Sequence, residues 1–522
     1  MALLGVAAVA GFAYAFLASP TDLVFRYTDD AYYYFNVARN LALGHGPTFD
    51  RLNATNGFHP LWMLCLMPVF ALSADQPLLA LRLVLCLITV ITCATLWIVH
   101  RTLERFLGRE AAGVGVAAML SPVFLNPLVN GLETGLVVLL LWLLLWACHR
   151  HRLLDSGTSA RADAALGALL GLLLLSRLDL IFAVGTLGAL TGVRALRAGG
   201  ARAAVAKLLR IGAPIVVLVA PYLAWNQARF GHLVPISGML KSTFPVVSFS
   251  AHELRRMDVV IGETQLLIAT AGIAISLFLP RLTISGATLW SRAEATSGWL
   301  AAIALWLGAC LHFANSILFM NWGVYWWHFA SYGPTALLAL ALIVHGLLDR
   351  LGRRRLWAAA AISAMVALSL FTHRVETRIR GNQHRIWHQS ALWARDHLPL
   401  EAVIGMTDCG TFGYFSERRT INLDGVINSY AYHEAVRERR LTAFLQKCGV
   451  THFAHHAVVY REGVYVVPIT THVLGLDDAV VVTTPAAEVY RSPPYQDGHV
   501  VIWDARRVRV LNDVADLAPL RR

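Results

Sequence analysis

Two adjacent carboxylates, Asp29 and Asp30, open the polar segment TDDAYYYFNVARNLALGHG, which follows the first apolar run of the chain. One acid here could be a helix cap, because helix N-termini favour negative charge. A cap does not explain a second acid beside three tyrosines, so we expect the pair to have a chemical role. Carboxylates held beside a substrate hydroxyl are suited to general acid–base catalysis.

Further ionisable side chains interrupt or flank later apolar runs. Charged groups are energetically costly in a membrane, so those that occur there usually have a function. They are Glu133 in NGLETGL, Arg177 and Asp179 in LLSRLDLIF, Lys241 in GMLKS and His328 in YWWHFASYGP. Carboxylates and cations on one side of a membrane predict acid–base chemistry on an anionic substrate. Plainer roles stay open: Arg177 and Asp179 can neutralise each other, and Glu133 can be a solvated turn acid. Lys241 can be an interfacial anchor, and the aromatic residues beside His328 an interfacial belt.

The composition indicates that these residues belong to a polytopic membrane protein. Of the 522 residues, 57% are hydrophobic and 15% are charged, whereas soluble domains have about 25% charged residues. The net charge of +12 does not indicate nucleic-acid binding, because the arginines fall in short clusters between apolar runs. Only Cys409 and Cys448 lie in the polar C-terminal part, and a disulfide between them stays open.

Apolar runs predict about eleven transmembrane helices, near residues 2–18, 77–99, 111–128, 132–148, 164–176, 180–193, 211–227, 258–279, 298–320, 330–347 and 356–372. Residues 59–72 are a possible interfacial or re-entrant extra. The first run could be a signal peptide, but we expect a retained span. Lys and Arg are enriched in one alternate set of connections, which we therefore place in the cytoplasm. The N-terminus is then cytoplasmic, and the first loop (residues 19–58) lies outside. Apolar spacing after Asp30 predicts an amphipathic helix at the membrane interface.

Beyond residue 373 the sequence pattern changes to alternating helices and strands. Residues 1–373 are expected to form the transmembrane catalytic domain, and residues 374–522 a small extracytoplasmic α/β domain. This domain has no nucleotide-binding fingerprint. Asp408 and Asp424 follow predicted strands, where capping of turns is the expected role, although contact with a sugar stays open.

A group-transfer enzyme that works outside the plasma membrane has no nucleotide-sugar pool, so it needs a donor carried by a lipid. A polyprenyl-phosphate sugar fits this arrangement, because its tail can lie between spans and its phosphate can bind Lys or Arg. A carboxylate would take the proton from an acceptor hydroxyl while that oxygen attacks the anomeric carbon. One such displacement inverts the anomeric configuration.

Several motifs resemble those of the GT-C membrane glycosyltransferases, which include protein O-mannosyltransferases, lipid A aminoarabinose transferases and mycobacterial arabinofuranosyltransferases. The first loop, with TDDAYYYFNVARNLALGHG and NATNGFHPLW, carries the resemblance, supported in order by NGLETGL, LLSRLDLIF, PYLAWNQARFGHLVPISGMLKS and DCGTFGYFSERRTINLDG. The arabinofuranosyltransferase branch is the most similar, because its members also have a C-terminal extracytoplasmic domain. The resemblance implies a GT-C-like fold.

The resemblance also implies roles for individual residues. Asp29 corresponds to the catalytic base, with Asp30 as its neighbour or substitute, and Glu133 to the acid that orients the acceptor or the base. His328 stands where related sequences have the Arg of an Arg-Tyr pair, and Leu178 where they have Pro. The expected substrate-binding residues are Arg39, His59 (which precedes Pro60 as in mannosyltransferases), Arg177, Lys241 and His328.

The expected partners are a polyprenyl-phosphate-linked sugar, membrane lipid, and a glycan, lipid or protein acceptor, with no nucleic acid. In some members of the class the paired acids are suggested to bind a divalent cation. We predict no obligatory cofactor, and a divalent cation stays open. The donor sugar and the acceptor are not predicted by the sequence.

Two other functions stay open. A transporter or flippase of a lipid-linked or anionic substrate would have related halves with broken helices at the midplane, whereas the sequence shows no internal repeat. A ligase that transfers a whole polymer from a lipid diphosphate would have a large late outer loop rich in Arg and His, whereas the late loop here is short and aromatic.

Overall fold

The structure is a computed structural model with a helical membrane part and a C-terminal domain. It describes residues 2–249, 263–272, 283–284, 287–288, 293–320, 322, 325–351, 385–456, 459–461, 464–468, 480–494 and 498–512. The predicted domain boundary after residue 373 lies outside these residues.

The membrane part is a bundle of helices. They are α1 Ala2–Leu17, α2 Pro20–Arg26, α3 Asp29–Ala42, α4 Pro60–Ser73, α5 Pro77–Leu107, α6 Arg109–Met119, α7 Pro122–Val129, α8 Thr134–His151, α9 Ala160–Ser176, α10 Ile181–Phe230, α11 Ile236–Lys241, α12 263–272, α13 Ala293–Leu318 and α14 Gly333–Leu351. Two short strands, β1 Thr283–Ile284 and β2 Ala287–Thr288, pair with each other.

Several of these helices have the length and apolar composition of membrane spans. Within the described residues, four stretches satisfy both criteria: Pro77–Leu107, Thr134–His151, Leu178–Phe230 and Ser297–Leu318. Leu4–Leu17 and Pro60–Ser73 are apolar but shorter. Most predicted spans coincide with these helices, although the predicted run 111–128 is divided into α6 and α7 before Pro122, and the predicted span 356–372 lies outside the described residues.

Two predicted spans, 180–193 and 211–227, form a helical hairpin within α10. The chain reverses at Gly200, whose φ of 75° and ψ of −174° interrupt the helix and favour a residue without a side chain. A Cβ on Gly192 would lie 3.2 Å from the side chain of Leu208, and residues that far apart in one straight helix would not meet. The two arms are therefore antiparallel.

The helix that begins at the paired acids is confirmed, but it lacks the water-exposed polar face expected of an interfacial helix. Eleven of the fourteen residues of α3 are buried, because α3 packs on α4 on one side and on the C-terminal domain on the other. An interfacial helix would expose its polar face to water. The polar face of α3 is instead covered by protein.

The C-terminal domain contains helices and two sheets, in agreement with the predicted alternation. Its elements are α15 385–397, β3 Val403–Met406, α16 Gly410–Ser416, β4 Arg419–Asn422, α17 Tyr430–Arg437, α18 Leu441–Lys447, β5 His452–His455, β6 Val459–Arg461, β7 Val464–Pro468, β8 Val480–Thr483, β9 Glu488–Arg491, β10 Val501–Asp504 and β11 Arg509–Leu511. The first sheet has the order β4-β3-β5-β10-β9, with β3 parallel to β4 and β5, and the second has the order β11-β8-β7-β6. The loops after β3 and β4 face α3.

A buried ion-pair network stabilises the end of α9 that is opposite to Arg177. Lys207 Nζ lies 2.8 Å from Asp163 Oδ1, and Arg210 Nε lies 2.7 Å from Asp163 Oδ2. Lys207 also donates to the carbonyl of Asp155 at 2.7 Å. This network joins the start of α9 to the second arm of α10.

Candidate active site

A cavity of about 230 Å³ lies where α3, α8, α11 and α13 meet the C-terminal domain. Seven of the ionisable residues that the sequence singled out line it: Asp30, His59, Glu133, Arg177, Asp179, Lys241 and His328. These residues come from segments that are distant in the sequence, and the fold brings them to one place. Asp29 and Arg39 do not line the cavity.

Asp30 presents a carboxylate to the cavity. It lies in the first turn of α3 and is half-buried. No hydrogen bond to its side chain comes from any residue that the structure describes. Burial raises the pKa of Asp30 to about 6, nearby Lys241 lowers it, and Asp424 and Glu133 raise it. A carboxyl group with this pKa is ionised at neutral pH and can still accept a proton.

Glu133 is held in place by α3 and by Arg177. The turn before it contains Gly131, whose φ of 90° and close approach to Tyr27 and Ala31 leave no room for a side chain. Tyr34 Oη donates to Glu133 Oε2 at 3.0 Å, and Arg177 Nη1 donates to Oε1 at 3.0 Å. Glu133 is 3% exposed, so it is not the solvated turn acid that the sequence left open.

Arg177 bridges two carboxylates. Besides Glu133, it contacts Asp179 with Nε at 3.0 Å from Oδ1 and with Nη2 on Oδ2. Asp179 also lies 3.3 Å from His312 Nε2. The neutralising pair that the sequence left open is therefore present. Since its donors are engaged, Arg177 is arranged to position Glu133.

His59 completes this side of the cavity. Its Nε2 lies 3.7 Å from Glu133 Oε1, and its backbone N–H donates to Tyr34 Oη at 3.3 Å. Burial lowers the pKa of the imidazole, although Glu133 raises it. His59 thus lies immediately before α4 and beside Glu133.

Lys241 and His328 supply donors on another wall of the cavity. Lys241 Nζ lies 5.7 Å from the ring centre of Trp322, and no carboxylate in the described part of the chain lies within 4.0 Å of it. Burial lowers its pKa and Asp30 raises it. His328 Nδ1 lies 3.0 Å from the backbone nitrogen of Tyr325 and 3.1 Å from its carbonyl oxygen, so both tautomers of the neutral ring find a partner there. Burial, with Lys241 and Arg177, holds the pKa of His328 well below 6.5.

Asp29 points away from the cavity, into the C-terminal domain. Its Oδ2 accepts the N–H of Gly410 at 2.9 Å, and its Oδ1 accepts the N–H of Thr411 at 2.7 Å. Burial raises the pKa of Asp29 to about 7, although these hydrogen bonds lower it. Arg39 is engaged elsewhere, since its Nε donates to the carbonyl of Ala74 at 2.8 Å.

The C-terminal domain contributes directly to the site. Val426 lines the cavity, and Asp424 Oδ2 accepts a hydrogen bond from Tyr33 Oη at 3.0 Å. Asp424 also accepts the N–H of Val426, two residues later, at 3.1 Å, as in the turn cap expected for it. Cys409 and Cys448 are both free.

The paired acids have different surroundings. Both oxygens of Asp29 accept backbone N–H groups, whereas Asp30 faces the cavity. Among the described residues, no group of three or more His, Cys, Asp or Glu side chains has the geometry of a metal site.

The sequence analysis did not single out His312 and Asn315, which also line the cavity. They are three residues apart in α13 and so share one helix face. Two polar residues on one face of an otherwise apolar helix could have predicted that this face lines a polar cavity. His312 Nδ1 is also within 2.9 Å of Tyr332 Oη.

Comparisons with known proteins identify the fold. Residues 375–503 match a family model described as a domain of unknown function (DUF8728). A comparison with curated proteins gives no match. AglB, the oligosaccharyltransferase of Archaeoglobus fulgidus in complex with an inhibitory peptide and a dolichol-phosphate, is 12% identical over 87% of this chain and 69% of that chain, with a TM-score of 0.48.

ArnT from Cupriavidus metallidurans is similar along nearly its whole length. The structure bound to undecaprenyl phosphate is 12% identical and the apo structure 14% identical, each over 96% of this chain and 97% of that chain, with a TM-score of 0.53. Identities this low establish the fold alone. With its membrane-length apolar helices, the chain is a multi-pass membrane protein with the GT-C fold.

Proposed function

We propose that the protein is an inverting glycosyltransferase that moves a single sugar from a polyprenyl-phosphate donor to a glycan, lipid or protein acceptor on the outer side of the plasma membrane. The observation that carries this proposal is the cavity in which Asp30 and Lys241 both lack an ion-pair partner among the described residues. A base and a cation in one cavity are what transfer from a phosphate donor needs.

In the proposed reaction, Asp30 takes the proton of the acceptor hydroxyl while the oxygen of that hydroxyl attacks the anomeric carbon. The bond from the anomeric carbon to the phosphate oxygen breaks, and the polyprenyl phosphate leaves with the electron pair. The ammonium of Lys241 donates to the leaving phosphate, and His328 donates to it in the tautomer that carries the proton on Nε2. The sugar arrives on the acceptor with inverted configuration, because a single displacement occurs.

The donor class is supported by two observations. The ArnT structure that shares this fold is bound to undecaprenyl phosphate. In this chain, Lys241 and His328 are two nitrogen donors in the cavity that carboxylates of the described residues do not engage. A phosphate with one lipid ester and one sugar ester would place its charge against these two groups.

The proposal is tested by incubating the purified protein with a panel of polyprenyl-phosphate sugars and analysing the linkage of the product. We expect transfer from one donor with inversion at the anomeric carbon. Retention of configuration, or a requirement for a lipid diphosphate, would contradict the proposal.

The role of Asp30 is tested with Asp30→Asn, which we expect to lower kcat by at least about 100-fold because the amide cannot accept a proton. Asp396→Asn is the matched control, since Asp396 is 53% exposed and lies outside the cavity. An Asp30→Asn protein that is folded and retains full kcat would exclude Asp30 as the base.

A further inference from the structure

Consecutive acids of α3 have different surroundings. Asp30 lines the cavity, whereas Asp29 accepts the N–H groups of Gly410 and Thr411, the first two residues of α16. These N–H groups have no partner within α16, because the first four N–H groups of a helix lack one. Asp29 therefore attaches α3 to α16.

The contact between α3 and the first residue of α16 is too close to admit a side chain at Gly410. A Cβ on Gly410 would lie 2.1 Å from the backbone oxygen of Asp29 and 3.0 Å from its Oδ2. A methyl group here must therefore push α3 and α16 apart. The contact extends by one further turn, where Tyr33 Oη accepts the N–H of Cys409 at 3.2 Å.

The attachment fixes how α3 is rotated about its axis. Consecutive residues of an α-helix are about 100° apart around it, at 3.6 residues per turn. With Asp29 held by two hydrogen bonds, the direction of Asp30 is determined. A shift of about 1 Å in a reacting group can lower the rate about 100-fold.

We propose that Asp29 is a positioning residue, through which the C-terminal domain orients Asp30 towards the acceptor hydroxyl. This inference rests on the proposed glycosyl transfer. It gives the C-terminal domain a role in catalysis, and it assigns to Asp29 a role that does not require proton transfer.

The test compares substitutions on both sides of the contact, in the full-length protein and with the donor identified in the panel. Gly410→Ala changes no carboxylate, and we expect it to lower kcat at least about 10-fold while the KM for the donor stays within about twofold. Gly157→Ala is the matched control, because nothing lies within 4 Å of a Cβ at that position.

A second comparison separates positioning from proton transfer. Asn at position 29 keeps one acceptor oxygen, whereas Ala keeps none, and neither accepts a proton. A positioning role predicts that Asp29→Asn retains about 10-fold more kcat than Asp29→Ala, and that the acidic limb of the pH profile is unchanged in Asp29→Asn. If Asp29 were the base, both variants would lack activity while Gly410→Ala retained full activity, which would overturn the inference.

Hydrogen exchange does not require turnover, so it can test variants that are folded but inactive. We expect hydrogen exchange of the α3 amides to increase in Gly410→Ala and Asp29→Asn, and to be unchanged in Gly157→Ala. Unchanged exchange and unchanged kcat in both α3-contact variants would overturn the inference. The proposed function fails separately, if the wild-type protein transfers no sugar from any donor of the panel.

Discussion

At the scale of single residues, the cavity distinguishes three carboxylates by their partners. Glu133 accepts hydrogen bonds from Tyr34 and Arg177, and Asp179 contacts Arg177 and His312. Asp30 has no such partner among the described residues. An ionised carboxylate that is already neutralised by an arginine is a weaker base. The geometry therefore favours Asp30 for proton transfer, and it favours Glu133 as a support.

The pH dependence of kcat/KM should report the ionisation of Asp30. Its pKa is raised to about 6, chiefly by burial, and only the ionised form accepts a proton. We therefore expect kcat/KM to fall about tenfold per pH unit below pH 6 and to be constant just above it. A profile that stays constant down to pH 4 would contradict this assignment.

Removal of the positive charge at Lys241 should have two effects. Lys241→Met keeps the length of the side chain but loses a charged donor worth about 1.5–3 kcal/mol, so the donor KM should rise by about 10- to 150-fold. Lys241 also lowers the pKa of Asp30, so the acidic limb should move to higher pH.

The matched control is Lys241→Arg, which keeps the charge and should keep the position of the acidic limb. Kinetics at several pH values measure both effects. An unchanged donor KM in Lys241→Met would show that Lys241 does not bind the phosphate.

At the scale of elements, glycines set how closely the membrane helices pack. A Cβ on Gly167 of α9 would lie 2.1 Å from the carbonyl oxygen of Ile211, and one on Gly308 of α13 would lie 2.6 Å from the Cα of Ala183. Small residues allow such backbone contacts between helices in membranes. The site depends on this packing, because α9 carries Arg177 at its C-terminal end.

Gly167→Ala should lower the thermal stability of the detergent-solubilised protein. Forcing α9 from α10 costs about 1–3 kcal/mol, whereas alanine gains about 1 kcal/mol over glycine in a helix. Gly185→Ala is the control, since nothing lies within 4 Å of its Cβ, and its Tm should be equal or higher. Equal Tm values for Gly167→Ala and wild type would contradict the close contact.

The positions of helices in the sequence were more predictable than the contacts that their side chains make in the fold. The spacing of apolar residues predicted α3. Ionisable residues in or beside apolar runs predicted six residues of the cavity wall, and the family resemblance predicted a seventh, His59. The different directions of Asp29 and Asp30 could not be predicted, because they depend on Gly410 and Thr411 in a distant domain. For the same reason the sequence did not show that protein, and not water, covers the polar face of α3.

At the scale of the whole molecule, α9 connects two polar networks. Asp163, in its first turn, pairs with Lys207 and Arg210, whereas Arg177, at its end, pairs with Glu133 and Asp179. Fourteen residues of helix separate Asp163 from Arg177, or about 21 Å, which is somewhat less than the hydrocarbon thickness of about 30 Å. The two networks therefore lie at opposite ends of α9, and we expect them to lie towards opposite faces of the bilayer.

Cysteine labelling should place these faces on opposite sides of the plasma membrane. In a cysteine-free background, we expect a membrane-impermeant maleimide to label His45→Cys and Asp396→Cys in intact cells. Gly157→Cys, beside the network at Asp155, should be labelled only after permeabilisation. All three native residues are exposed. Labelling of His45→Cys only after permeabilisation would place the cavity in the cytoplasm and exclude the proposed donor geometry.

The hydrogen bonds between Asp29 and α16 determine when the candidate site can form during synthesis of the chain. Chains are synthesised from the N-terminus, whereas Gly410, Thr411 and Val426 belong to the last quarter of the sequence. Nascent or truncated chains that end before residue 410 thus contain the helices around the cavity but lack the contacts that complete the candidate site. Under the proposed function, we expect such incomplete chains to be inactive. They would neither transfer the sugar nor hydrolyse the lipid-linked donor.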